Sequence, residues 1–195
     1  MLMRIIEVPN VLTSKECEKI STYCSSKCKA STVGEGHLDI NVRNSRNCFL
    51  TPQDKSISDL INKVIKAFVQ VSAEAFDFPI TIIDEIQYAE YIEGMFYDYH
   101  IDAGDTPQYD RDLSASFILS SSKDYTGGDL TFKTTAGIQT PECDKGDLVI
   151  FPSTLYHKVD KVLSGKRSSL VIWGRRPQLQ PQNSKINLKQ KGFGK

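Results

Sequence analysis

Apolar positions along this chain recur with two different periods, and the period changes near residue 82. Before that point Ile57, Leu60, Ile61, Val64, Ile65, Phe68 and Val69 fall at helical spacing. They form one apolar stripe on a helix within 54–75, with Asp54 or Ser56 as its cap. Further upstream, Thr13-Ser14-Lys15-Glu16 has the form of a capping box, in which a hydroxyl caps the helix start and Glu reaches back. A helix of about four turns is expected to follow it. Residues 3–8 read as a short strand. Residues 29–47 are polar, contain Gly34 and Gly36, and read as a long loop with a strand near 38–40.

After residue 82 short β-rich runs take over, at 82–92, 95–101, 113–120, 129–134, 137–140, 147–151, 155–159 and 167–173. Turn signals separate them: Gly94, Gly104, Thr126-Gly127-Gly128, Gly137, Lys145-Gly146-Asp147, Pro152 and Ser164-Gly165. Many short punctuated strands predict a sandwich or jelly roll. The helices precede the strands instead of alternating with them, which argues against a doubly wound parallel sheet. The expected fold is mainly β with flanking N-terminal helices (α+β). One domain over 1–176 is expected, with helical support at about 10–76 and a jelly-roll core at about 82–176. Residues 177–195 carry four lysines, no acids and two prolines, and read as a weakly ordered basic tail.

Composition narrows the class. Apolar content of 39% and charged content of 25% are those of a soluble globular chain. The 24 basic and 24 acidic residues cancel, so no net field recommends nucleic acid or an anionic membrane as the main partner. No window reaches the roughly 20 apolar residues that span a bilayer. The first residues lack the long apolar run of a signal peptide, so a cytoplasmic protein is expected. Cys17, Cys24 and Cys28 stand at helical spacings that raise a metal cluster. No CxxC pair and no nearby His supports it, which favours reduced cysteines on a partly buried helix face.

The chemistry concentrates in the β-rich half. His100 and Asp102 are two residues apart, and on a strand residues i and i+2 share a face. His157, on a later strand, completes a two-His, one-carboxylate set. Three such ligands leave coordination positions open, which suits Fe(II); a closed zinc site wants a fourth ligand, and none is obvious. Taken alone His-x-Asp is a weak motif. Ten residues beyond His157, Arg167 opens a strand on which Ser169, Val171 and Trp173 share its face. A guanidinium offers a planar fork to a carboxylate, and Ser169 adds a hydroxyl donor. A small dianion would link metal and arginine, and 2-oxoglutarate fits. Lys166 is the adjacent alternative anchor but points to the opposite face.

These residues resemble a known family. Tyr91-x-x-Gly94 followed by Tyr97-x-x-His100-x-Asp102 is similar to the signature of prolyl 4-hydroxylase-like 2-oxoglutarate oxygenases. Gly127-Gly128-Asp129-Leu130 resembles the Gly-Gly-acid-Leu turn of that group. Lys145-Gly146-Asp147 through Pro152-Ser153, ahead of His157, is similar to bacterial PKHD-type hydroxylases, and Arg43-Asn44-Ser45 resembles the Arg-x-Ser of a substrate loop. The resemblance covers roughly residues 4–176. It implies a double-stranded β-helix of the cupin-like kind. It also implies Fe(II) on His100, Asp102 and His157, and 2-oxoglutarate held by Arg167 and Ser169 beside Tyr91 and Tyr97. Arg43 and Ser45 would contact substrate. The implied reaction takes dioxygen, converts 2-oxoglutarate to succinate and hydroxylates an unactivated C–H bond, with ascorbate as an optional reductant. The substrate expected is a prolyl residue in a peptide or protein, with segment 103–112, including Asp105, Asp110 and Asp112, at the mouth.

Two departures stand out. Where some prolyl hydroxylases carry a second Tyr to the distal carboxylate, this chain has Ile118. The further C-terminal segment of PKHD-type proteins is replaced by a short tail. Rival readings are a hydroxylase of a free amino acid or small metabolite, a cupin-type metal-binding module without turnover, and a nucleic-acid demethylase of the same fold, which the neutral charge disfavours.

Overall fold

The computed structural model describes residues 4–32, 38–76, 79–104, 106 and 110–177. The elements in chain order are β1 (Ile6–Val8), α1 (Ser14–Ser25), β2 (Lys29–Ala30), β3 (Arg43–Asn44), β4 (Arg46–Leu50), α2 (Ser58–Phe76), β5 (Ile82–Ile92), β6 (Phe96–His100), β7 (Leu113–Ile118), β8 (Tyr125–Gly127), β9 (Leu130–Thr134), β10 (Gly137–Gln139), β11 (Leu148–Pro152), β12 (His157–Val159) and β13 (Val162–Arg175).

α1 starts where its capping box places it. Thr13 Oγ1 accepts from the Glu16 backbone, and the Glu16 carboxylate accepts from the Thr13 backbone at 2.8 Å. Such a cap contributes about 1 kcal/mol. The helix is 12 residues long, about three turns instead of four. α2 begins at Ser58, past both expected caps. The Asp54 carboxylate is engaged elsewhere, accepting from the Thr51 backbone and from the Tyr23 hydroxyl.

Eight strands form one antiparallel sheet, ordered β1-β11-β7-β13-β5-β4-β2 with β8 paired to β13; five form the other, ordered β10-β9-β12-β6-β3. This is the jelly roll expected. Period-two alternation divides the larger sheet between two environments. Ile86, Tyr88, Ala115, Phe117, Leu148, Ile150, Leu170 and Ile172 face the helices, where Ile20, Ile61, Val64 and Phe68 complete the main core. The alternate residues face the smaller sheet across an open cavity.

Three readings of the elements are corrected. No strand forms at 38–40; Asp39 accepts backbone hydrogen bonds from Val42 and Arg43 in a turn, and Leu38 and Ile40 are each 66% exposed. The stretch 29–47 instead contains β2, β3 and the start of β4. Of Thr126-Gly127-Gly128, read as a turn, Thr126 and Gly127 belong to strand β8. All five cysteines are free, with Cys17 and Cys24 buried in the core on the inner side of α1. No helix among the described residues is long and apolar enough to cross a membrane. The basic tail and Asp105 lie outside the described residues.

Candidate active site

His100 ends β6, Asp102 follows two residues later, and His157 opens β12. The pairing of β12 with β6 sets His157 directly opposite His100. The Asp102 backbone N–H donates to the Ser153 carbonyl at 2.9 Å, which fixes the chain beyond the strand. The carboxylate therefore lies between two imidazoles: Oδ1 is 3.6 Å from His100 Nε2 and Oδ2 is 3.4 Å from His157 Nε2. All three ligand atoms lie within 4.8 Å of one another. This is the one such His/Cys/Asp/Glu group among the described residues, so the three N-terminal cysteines make no cluster of this kind.

The tautomers follow from hydrogen bonding. His100 Nδ1 is 2.8 Å from the Asp98 carbonyl and His157 Nδ1 is 2.9 Å from the Leu155 carbonyl. A carbonyl only accepts, so each Nδ1 carries the proton and each Nε2 presents a lone pair. Burial disfavours ionisation of Asp102, but the His157 and His100 imidazoles and the Ser114 hydroxyl outweigh it. They hold the carboxyl well below the usual range. Burial, together with the nearby His100, pushes His157 down to about 4 against the pull of Asp102. At neutral pH the pair is a carboxylate beside a neutral imidazole, the state a divalent cation requires. Asp102 Oδ2 is buried without a hydrogen-bond partner. A hard acceptor in that condition fits a cation.

Across the cavity, on β13, Arg167 is 2% exposed. Its Nε has no partner, and its guanidinium donates to Ser169 Oγ at 3.3 Å. No carboxylate among the described residues forms an ion pair with it. A buried cation without a counter-charge is costly unless an anion joins it. Tyr91, its cross-strand neighbour on β5, places its ring 5.6 Å away. Lys166 faces the other side of the sheet, 4.0 Å from Glu90. The site thus offers three ligands for a divalent cation and a buried fork for a small carboxylate.

The sequence profile of the 2OG-Fe(II) oxygenase superfamily matches residues 86–175. A PKHD-type hydroxylase of Acinetobacter baumannii is 31% identical over 180 residues, spanning 87% of this chain and 77% of that protein. This chain belongs to the PKHD-type hydroxylases of the 2OG-Fe(II) oxygenase superfamily. It is a 2-oxoglutarate-dependent dioxygenase, prolyl hydroxylase-like, whose cofactors are Fe(II) and 2-oxoglutarate. The fold agrees. A Pseudomonas putida prolyl-4-hydroxylase superposes with a TM-score of 0.74 at 21% identity, covering 90% of this chain and 94% of that one. A Trichoplax adhaerens prolyl hydroxylase, solved with a hypoxia inducible factor peptide fragment, gives 0.70 at 16% identity, covering 87% and 82%.

The oxygenase's cavity has a volume of about 760 Å³ and gathers the triad, Arg167, Ser169, Tyr91, Tyr97 and Arg43. Ser45 is buried behind it, accepting from Arg43 Nε at 2.9 Å and donating to Ser31 at 2.8 Å. Ile118 is not part of the cavity wall, while Ser116 is. Reading the sequence missed Glu85, Gln87 and Arg111. Arg111 donates to Glu85 at 2.7 Å and covers the Trp173 ring at 4.3 Å. Glu85 and Gln87 share a strand face with Tyr91, so extending the period-two rule back from Tyr91 would have found both.

Proposed function

We propose that the oxygenase hydroxylates a prolyl residue of a peptide or protein and couples this to decarboxylation of 2-oxoglutarate to succinate. In this reading His100, Asp102 and His157 hold Fe(II). Arg167 receives the distal carboxylate of 2-oxoglutarate; Ser169 Oγ accepts from Arg167 and keeps its own proton to donate. When bound, Fe(II) and 2-oxoglutarate supply dioxygen activation, one oxygen atom ending in succinate and the other in the hydroxylated product. Tyr91, Leu130, Phe151 and Val159 form walls that exclude water. Burial pushes the Tyr97 phenol up to about 12, keeping it protonated beside the site.

The observation that carries this reading is the buried, anion-less Arg167 sharing a cavity with the triad. A metal-binding module without an acidic co-substrate has no use for it. For the substrate, the support is cavity size and kinship. About 760 Å³ is the room of a drug-sized ligand, more than a five-carbon dicarboxylate fills. Thr32, Arg43, Asn47 and Phe49 contribute to its lining, from the segment that carries Arg43 and Ser45.

The test is succinate formation under air with Fe(II), comparing proline-containing peptides with a panel of free amino acids. Expected is oxygen-dependent succinate matched by the gain of one oxygen atom in a peptide. Turnover of free amino acids alone would replace the peptide reading with a small-metabolite one.

Gly128 bears on the same anchor. It has φ +69°, and a Cβ there would meet Arg167 Cδ at 3.1 Å and Val162 Cγ2 at 3.0 Å. Gly94 has φ +82° with nothing near. Gly128→Ala and Gly94→Ala should each cost about 1–2 kcal/mol in thermal or denaturant unfolding, from the left-handed backbone. Only Gly128→Ala should also raise the KM for 2-oxoglutarate; equal KM values in the two variants would contradict the placement of the anchor.

A further inference from the structure

Tyr97 and His100 are three residues apart on β6, a spacing that ordinarily points side chains to opposite faces of a strand. Here their rings are stacked, with centroids 3.6 Å apart and planes 14° from parallel. The cause is a bulge: His157 and Val159, two residues apart on β12, pair with His100 and Tyr97, so the register shifts between them. A bulge re-aims side chains in this way. Arg43, the cross-strand neighbour of Tyr97 on β3, also packs on this ring, its guanidinium carbon 4.5 Å from the ring centroid.

That guanidinium is itself fixed. Arg43 is 8% exposed; Nε donates to Ser45 Oγ at 2.9 Å, and Nη2 donates to Gln87 Oε1 at 2.8 Å. The backbone beside it also ties down the bulge, since Asp98 N donates to the Val42 carbonyl at 2.8 Å. A cation over an aromatic face is attracted to it, more strongly when water is excluded. Arg43 therefore packs on Tyr97 and Tyr97 stacks on His100, while the His157 ring, 4.2 Å from His100, is tilted 53° to it.

We propose that Arg43 is a positioning residue that orients the His100 imidazole through Tyr97, independently of any substrate. The proposal rests on reading His100 as a metal ligand. The hydrogen bond from Nδ1 to Asp98 sets the direction of Nε2, and the Tyr97 ring, clamped by Arg43, sets the tilt of the imidazole plane. Loss of the clamp frees the plane to rock and weakens the metal.

The experiment is titration of the full-length metal-free protein with Co(II) alone, anaerobically and without 2-oxoglutarate or peptide, following the visible absorption of the bound ion. Arg43→Met should weaken Co(II) binding about tenfold, in the range typical for an outer-shell partner, and alter the absorption band. Arg43→Lys, which keeps a cation over the ring, should recover part of the affinity. Tyr97→Phe should retain wild-type affinity because the ring remains, whereas Tyr97→Leu should lose it as Arg43→Met does. Unchanged Co(II) affinity and spectrum in Arg43→Met, with a raised peptide KM, would make Arg43 a substrate contact only and overturn the proposal. Should Arg43→Met fail to fold, Ser45→Ala, which removes one of the two bonds fixing the guanidinium, decides: several-fold weaker Co(II) supports the proposal and unchanged binding overturns it. Wild-type protein that binds no Co(II) would remove the ligand reading and this inference together.

Discussion

Asp102→Asn is expected to abolish Fe(II) binding, measured by anaerobic equilibrium dialysis, and with it oxygen-dependent succinate formation. The substitution is nearly isosteric, so the fold around it is retained. It removes the one negative charge among the three proposed ligands and leaves two imidazoles facing an amide. Loss of an outer-shell partner already costs about 10–100-fold in metal affinity, and loss of the carboxylate itself should exceed the upper end of that range. The buried Oδ2, which has no hydrogen-bond partner, sharpens the expectation: that oxygen is left open to a cation. Iron affinity that survives Asp102→Asn would show that the ion, if bound, is bound elsewhere.

The second large effect is at Arg167, and it has two opposite parts. Arg167→Met keeps length and removes the charge. Breaking one side of a buried charged pair costs about 3–5 kcal/mol, so the KM for 2-oxoglutarate should rise by roughly two to four orders of magnitude. In the protein free of iron and 2-oxoglutarate the same substitution should raise the melting temperature. A buried guanidinium without a carboxylate partner is a liability there, and replacing buried charge by a well-packed apolar group commonly stabilises by about 1–4 kcal/mol. Arg167→Lys should fall between, with charge but no planar fork. An Arg167 that serves only the fold would show the reverse: a lower melting temperature and an unchanged KM. Calorimetry and steady-state kinetics on the same preparations separate the two.

How much of this was legible in the sequence depends on how local the signal was. The capping box of α1 lies within four residues and appeared where expected. The helical stripe of α2 was equally plain, but its start was not, because the Asp54 carboxylate is held by Thr51 and by Tyr23 from a different helix. Strand β8 was hidden for a similar reason. Gly127 and the adjoining Gly128 look like punctuation, and what makes β8 a strand is pairing with residues 162–165 of β13. Leu38 and Ile40 misled in the other direction, as apolar residues that the fold leaves exposed. At the site, Arg167 with Ser169 was readable because strand periodicity puts the pair on one face; His100 with Asp102 was readable from its spacing, although Asp102 lies past the end of β6 and is aimed by its backbone bond to Ser153. The stack of Arg43 on Tyr97 was not readable, since the bulge that creates it comes from the register of β12 against β6. Arg111 on Trp173 joins a loop to the far end of β13, and no spacing in the chain announces that contact.

The alternation along β13 has a further consequence, for the kinds of change the gene can accept. Arg167 and Ser169 face the cavity, while Lys166 and Ser168 face the other cleft. Each is tied by pairing to β5 on one side, and from Ser169 onward to β7 on the other. Losing or gaining one residue between Gly165 and Arg167 would shift the frame by one and exchange the two faces. The guanidinium would then point at the α1 side and a serine into the cavity, although no residue type had been lost. Substitutions on this strand can be graded in their effects, but a single-codon insertion or deletion there cannot, and surviving length variation should fall in the turns instead.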